Sequence, residues 1–280
     1  MKNIIKLSLS IVILAIYTGC GTNNNKADKE EKGLRIVSLI PSATETIYEL
    51  NASNMLVGCT SYCETDPQDS IEIVSSIIKA NVEKIITLKP DIVFASDMTP
   101  IQDLDKLRKF NISIEVLHSP GTFNEICEQY LYIAKKIGKE KEANDYIKDY
   151  KAIADSIFTK NSNKSPRPKI FMQIGSDPIF GVLPDKFMND YIKYCGGENI
   201  IKENNVGIIN REYVAASNPD YIFVVIMGIT GTKEIEQWKE LSSMNAVVKN
   251  NLYIISDIAC QPIPISFITA LKTMDKYISK

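Results

Sequence analysis

The residues of this 280-residue chain that could do chemistry gather where apolar runs break abruptly into polar ones. One break is Pro41-Ser42-Ala43-Thr44-Glu45, after Ile36–Ile40, and a second is Ser61-Tyr62-Cys63-Glu64, after Met55–Thr60. Asp97-Met98, His118-Ser119, Gly175-Ser176, Met227 and Cys260-Gln261 stand at similar breaks, and Met188 follows Phe187 in the second half. Hydroxyls, carboxylates, an amide, thiols, thioethers and an aromatic ring suit grasping a ligand by packing and hydrogen bonds. Catalysis fits less well. A Ser-His-acid hydrolase would have His118 as its only histidine base, and no glycine-flanked nucleophile elbow accompanies it. A bare Zn²⁺ or Mn²⁺ centre needs several converging nitrogen or carboxylate ligands, so none is expected, nor is a resident cofactor. His118 could ligate a metal already held in a chelate, or be an ordinary strand-end histidine. Met98, Met188 and Met227 could line a binding surface or simply fill the core.

The elements that must position these residues follow from periodicity. Apolar runs at Arg35–Ile40, Met55–Thr60, Asp91–Ser96 and Ile112–Leu117 alternate with helix-like segments at Ala80–Leu88 and Ile101–Phe110, which predicts an α/β fold with mostly parallel sheets. Ser42 precedes Glu45 by three residues, a capping-box spacing for a helix that follows the first strand. From Thr122 to about Thr159 there is no proline, and Ile126, Tyr130, Ile133 and Ile137 recur at helical spacing. This predicts one long helix, on the order of 55 Å, which Gly138 could bend. Alternation then resumes at Lys169–Gly175, Tyr221–Met227 and Asn251–Asp257. The expected architecture is two Rossmann-like lobes, 34–120 and 161–280, bridged by a single long α-helix over 121–160. In open sheets a ligand lies beyond the carboxyl ends of the strands, which turns the polar breaks into opposite walls of one cleft. A nucleotide-binding enzyme would show a glycine-rich loop after its first strand, and Leu39-Ile40-Pro41-Ser42-Ala43 contains no glycine.

The N-terminus indicates export. Lys2 and Lys6 flank an apolar run, Leu7–Tyr17, that ends at Thr18-Gly19-Cys20 and is too short for a stop-transfer helix. A small residue before a cysteine resembles the bacterial lipoprotein cleavage signal, so residues 1–19 read as a signal peptide and Cys20 as a lipidated N-terminus. Ordinary signal-peptidase cleavage nearby is the alternative. Residues 20–33 are mostly polar and charged and suit a tether from the membrane. Losing the leader moves the formal net charge from −2 to −4, and no basic footprint for nucleic acid exists. Beyond Cys20 five cysteines remain: Cys59, Cys63, Cys127, Cys195 and Cys260. Reduced, partly buried thiols are the default, with Cys59–Cys63 and Cys195–Cys260 as open pairings.

The motifs RIVSLIPSATE at Arg35–Glu45, VEKIITLKPDIVFAS at Val82–Ser96, CGGENI at Cys195–Ile200 and NREYVAASNPDYIFV at Asn210–Val224 come in a telling order and spacing. Over nearly all of Arg35–Lys280 the chain resembles the periplasmic substrate-binding proteins of ABC importers for cobalamin, haem and iron-siderophores. The resemblance implies a monomeric receptor and no enzyme, working at the extracytoplasmic face of the cell envelope with an ABC permease and its ATPase. It implies a cleft formed by Pro41, Ser42, Thr44, Glu45, Tyr62, Cys63, Glu64, Asp97, Met98, Gly175, Ser176, Met188, Met227, Cys260 and Gln261, with Tyr62 against the ring of the ligand. It also implies that Glu83 in NVEKI and Glu212 in NREYV, one per lobe, pair with permease arginines.

The ligand class is the least specified part. Cobalamin-binding members often line the cleft with tryptophans, whereas the single Trp238 lies in a helical run and is expected in the core. Members that bind anionic siderophores commonly use cleft arginines, and none of Arg35, Arg108, Arg167 and Arg211 stands at a proposed strand end. Acceptors at Glu45, Glu64, Asp97, Asp177 and Gln261 favour a ligand rich in amide donors, and SYCETDP looks like the cobalamin branch, so a corrinoid is expected. Haem or a ferric siderophore is the alternative cargo. A sensor lipoprotein without transport, or a hydrolase, is the alternative class.

Overall fold

The computed structural model describes residues 33–76, 80–202, 206–226 and 231–279. The leader, Cys20, the tether up to Lys32, and Met227 lie outside the described residues. No helix among the described residues is long and apolar enough to cross a membrane.

The first lobe is β1 (Ile36–Ser38), α1 (Pro41–Glu49), β2 (Leu56–Thr60), β3 (Glu72–Ser75), α2 (Val82–Thr87), β4 (Ile92–Ser96), α3 (Ile101–Arg108) and β5 (Ser113–Leu117). Its strands lie in the order β3-β2-β1-β4-β5, all parallel, so every strand carboxyl end reaches the same edge. The run Ile36-Val37 is fully buried because β1 is the central strand, covered on both faces. The capping box expected at Ser42 does not form. Pro41 takes the first helical position, where its missing N–H costs nothing, so α1 begins at Pro41 and Ser42 falls inside its first turn. Ile40 is the N-cap and contributes no side-chain bond.

The bridge also departs from the single helix expected over 121–160. It consists of α4 (Phe123–Lys136) and α5 (Glu140–Asn161), packed on each other. Gly138 takes the left-handed conformation, φ +73°. It donates to the Lys135 carbonyl at 3.4 Å, while Lys139 N–H donates to the Ala134 carbonyl at 2.8 Å. That pair of bonds is a Schellman ending, which stops α4 and reverses the chain. Both helices serve both lobes. Tyr130, Ile133 and Ala134 of α4 and Ala143 of α5 pack with Ile36, Ile47 and Phe94. Phe123, Ile126 and Cys127 of α4 and Ala154 and Ile157 of α5 pack with Ile170, Tyr191 and Phe267. The bridge is therefore a helical hairpin whose ends insert into two cores.

The second lobe is β6 (Lys169–Ser176), β7 (Ile179–Gly181), α6 (Met188–Tyr194), β8 (Glu198–Asn199), β9 (Ile208–Ile209), α7 (Arg211–Ser217), β10 (Tyr221–Val225), α8 (Gly231–Lys239), α9 (Asn245–Val248), β11 (Leu252–Ile255) and α10 (Pro264–Ile278). Its sheet runs β11-β10-β6-β7-β9, with β8 also on β6. Strands β11, β10, β6 and β8 are mutually parallel where they pair, and β7 is antiparallel to both neighbours. Helix α10 returns to the bridge, with Phe267 stacked between Phe123 at 4.3 Å and Tyr191 at 4.5 Å.

Candidate functional site

The carboxyl edge of the first sheet and the second lobe enclose a cavity of about 430 Å³. Ile40 and Ser42 at the β1–α1 junction, Ser96 at the end of β4, and Leu117 and His118 at the end of β5 form one wall. The other wall is Ile174, Phe180, Val182, Leu183, Met188 and Cys260, with Lys186 as a charged group beside them. Such walls, mostly apolar with a few polar groups, hold a flat apolar body and orient it at its edges. Phe180, from β7, reaches its place because Gly207 lies under it. Gly207 has φ +85°, and a Cβ there would stand 2.4 Å from the ring.

Two polar features border this cavity. His118 is largely exposed, and its Nδ1 lies 3.6 Å from an Asp97 carboxylate oxygen. A carboxylate facing one ring nitrogen favours the tautomer that leaves Nε2 with a lone pair. The backbone carbonyl of His118 accepts a 2.8 Å bond from the Gln129 amide of α4, which fixes the loop. Behind Ser42 lies a thiol corner. Thr44 Oγ1 donates to Cys63 Sγ at 3.1 Å, Thr60 Oγ1 lies 3.3 Å from it, and the Cys59 thiol hydrogen-bonds the same sulfur. The Cys59 bond, then Thr44 and Thr60, draw the Cys63 thiol down to about 6. One turn along α1, burial and then the charges of Glu64, Cys63 and Glu49 push Glu45 up to about 7.

Ser42, Met188 and Cys260 line the cavity, and Pro41 opens the helix that presents Ser42. Thr44, Glu45, Cys63 and Glu64 share the thiol corner. Tyr62 ends the strand beside β1 but is 60% exposed and outside the cavity wall, and Met98 is 71% exposed. Gly175 and Ser176 border a separate pocket of about 40 Å³ with Gln173 and Glu234. Gln261 accepts from Ser266 Oγ at 3.0 Å at the start of α10. Trp238 is fully buried, and its indole N–H donates to Gln173 Oε1 at 2.8 Å. Glu234 accepts from Gln173 and from Arg211, both at 2.8 Å. Arg211 is thus consumed in the core of its lobe. Phe180, Lys186 and Gln129 escaped the sequence reading: β7 has only three residues, Lys186 sits in a loop, and Gln129 lies on an otherwise amphipathic helix. The disulfide pairings left open do not form here, since all five cysteines are free thiols.

Glu83 and Glu212 occupy equivalent places on the two lobes. Each is exposed in the first turn of a helix that follows an asparagine cap, Asn81 accepting from Lys84 N–H and Asn210 from Tyr213 N–H. Neither carboxylate has an ion-pair partner among the described residues.

The sequence profile described as "Periplasmic binding protein" matches residues 36–259. An uncharacterized ABC transporter substrate-binding lipoprotein of Bacillus subtilis is 30% identical over 234 residues, 80% of this chain and 73% of that one. The vitamin B12-binding protein of Photorhabdus laumondii is 28% identical over 209 residues, 73% of this chain and 75% of that one. Among solved structures, the periplasmic haem-binding protein of Vibrio cholerae superposes with a TM-score of 0.79 at 18% identity, covering 88% of this chain and 99% of that one. That likeness establishes the fold.

Proposed function

From the premise that the chain belongs to the periplasmic binding protein family, as a substrate-binding protein of the ABC-importer type, we propose that its cargo is a corrinoid delivered to a membrane permease. The observation that carries this reading is the apolar cavity between the strand ends, which contains no arginine and sets a single lysine beside hydroxyl and imidazole groups. An anionic siderophore would bring several carboxylates or catecholates, and one lysine leaves most of that charge unpaired. A corrin ring offers an apolar face to Phe180 and Leu117, while its peripheral amides can be met by Ser42, Ser119 and the carboxylates at the cleft mouth. The similarity to a vitamin B12-binding protein supports the same choice. In this reading Glu83 and Glu212 dock the permease, and Cys20 carries the lipid that keeps the receptor at the membrane.

Haem is the second reading, favoured by His118, whose free ring nitrogen could take an axial position on an iron porphyrin. The two are separated by mixing the purified protein with cyanocobalamin, haemin and a ferric hydroxamate and following melting temperature and visible spectrum. A rise in melting temperature with the corrinoid alone is expected. A response confined to haemin, with a shifted Soret band, would transfer the assignment to haem.

A further inference from the structure

The thiol corner is chemically set apart from the other cysteines. Cys63 follows β2 in a turn whose Cys63 N–H donates to the Thr60 carbonyl at 3.2 Å, and the residue is partly exposed. Its sulfur gathers three hydrogen bonds, from the hydroxyls of Thr44 and Thr60 and from the thiol of Cys59. Cys59 is fully buried directly behind it. We infer that Cys59 and Cys63 form a thiol–disulfide exchange site, in which Cys63 attacks a small-molecule or protein disulfide and Cys59 resolves the product.

The geometry assigns the two roles. A sulfur that accepts several hydrogen bonds is stabilised as thiolate, the nucleophilic form. Consistently, Cys63 is drawn down to about 6, whereas burial pushes Cys127 and Cys195 up to about 12 and Cys260 to about 11. In the first step the Cys63 thiolate bonds to one sulfur of RSSR and expels RS⁻. In the second, Cys59 gives its proton to that RS⁻, and its sulfur bonds to Cys63 Sγ and expels the other RS⁻, which takes a proton from water. The two cysteines lose two electrons, and RSSR becomes two RSH. The product closes a ring from Cys59 to Cys63 that contains Tyr62, so oxidation would tether an exposed aromatic at the cleft mouth.

The test treats the full chain with excess oxidised glutathione, quenches at intervals, alkylates remaining thiols and reads peptide masses. A Cys59–Cys63 link is expected while Cys127, Cys195 and Cys260 stay alkylatable. In Cys59→Ala the reaction should stop at a stable glutathione adduct on Cys63, and Cys63→Ala should take up none at Cys59. Thr44→Val, which removes one hydrogen bond to the thiolate, should slow capture of Cys63 about tenfold. Glutathione landing first on another cysteine, or Cys59→Ala carrying no adduct in a folded protein, would overturn the site. Because no cargo is present, failure here leaves the transport reading intact.

Discussion

Individual side chains decide two properties of this protein, the grip on the ligand and a pH-dependent share of its stability. Phe180 is the largest apolar side chain on the second-lobe wall, and it is supported from below by Gly207. Phe180→Ala should weaken corrinoid binding by about 1–3 kcal/mol, checked by calorimetric titration; an unchanged affinity would place the ring outside the contact. Glu45 keeps its proton up to about 7 in the folded protein, against an ordinary value near 4.5, chiefly through burial. The folded state therefore holds a proton that the unfolded chain has released. Its contribution is fully present below the unfolded value and is lost as pH rises through about 7. Melting temperature should fall between about pH 5 and pH 8, and Glu45→Gln should flatten that fall. Much of the site was legible at this scale. Ser42, Met188 and Cys260 were found because breaks from apolar to polar sequence mark strand ends, and strand ends mark the cleft. Phe180 was not, because a three-residue antiparallel strand leaves no periodic trace. Tyr62 was found as an end-of-strand aromatic, but its exposure places it outside the enclosed wall.

Among the elements, the helical hairpin is the main departure from the sequence reading. Apolar spacing continues through Ile137, so nothing in the hydrophobic pattern announces a stop. The stop is set by backbone conformation, with one glycine in the left-handed region and two orphan carbonyls satisfied behind it. No atom crowds the position of a Gly138 Cβ, so a substitution there is felt through backbone strain alone. Gly138→Ala should cost about 1 kcal/mol in urea denaturation, and Gly138→Asn less. The chain itself uses asparagine at positive φ at Asn51, Asn111, Asn218 and Asn250. A gain in stability with alanine would mean that α4 and α5 prefer to fuse. The capping-box expectation failed for a related reason: proline at the first helical position fixes the start of α1 one residue ahead of Ser42. The main parallel strands, by contrast, were plain in sequence, since strands buried on both faces read as continuous apolar runs.

At the scale of the molecule, two lobes share one hairpin, and each offers a capped helix with an exposed glutamate in its first turn. Two anionic points held by a common scaffold let a permease recognise both lobes at once. Glu83→Ala with Glu212→Ala should abolish uptake in cells while leaving ligand affinity in solution unchanged. A parallel loss of affinity would assign the pair to the cleft or the fold instead. The central claim, that the cavity receives a corrinoid, is tested most directly by equilibrium titration of the purified protein with cyanocobalamin, with haemin in a matched experiment. The account predicts saturable binding of one corrinoid per chain, weakened by Phe180→Ala, and weaker binding of haemin. Saturable haemin binding with no heat or spectral change from the corrinoid would contradict it.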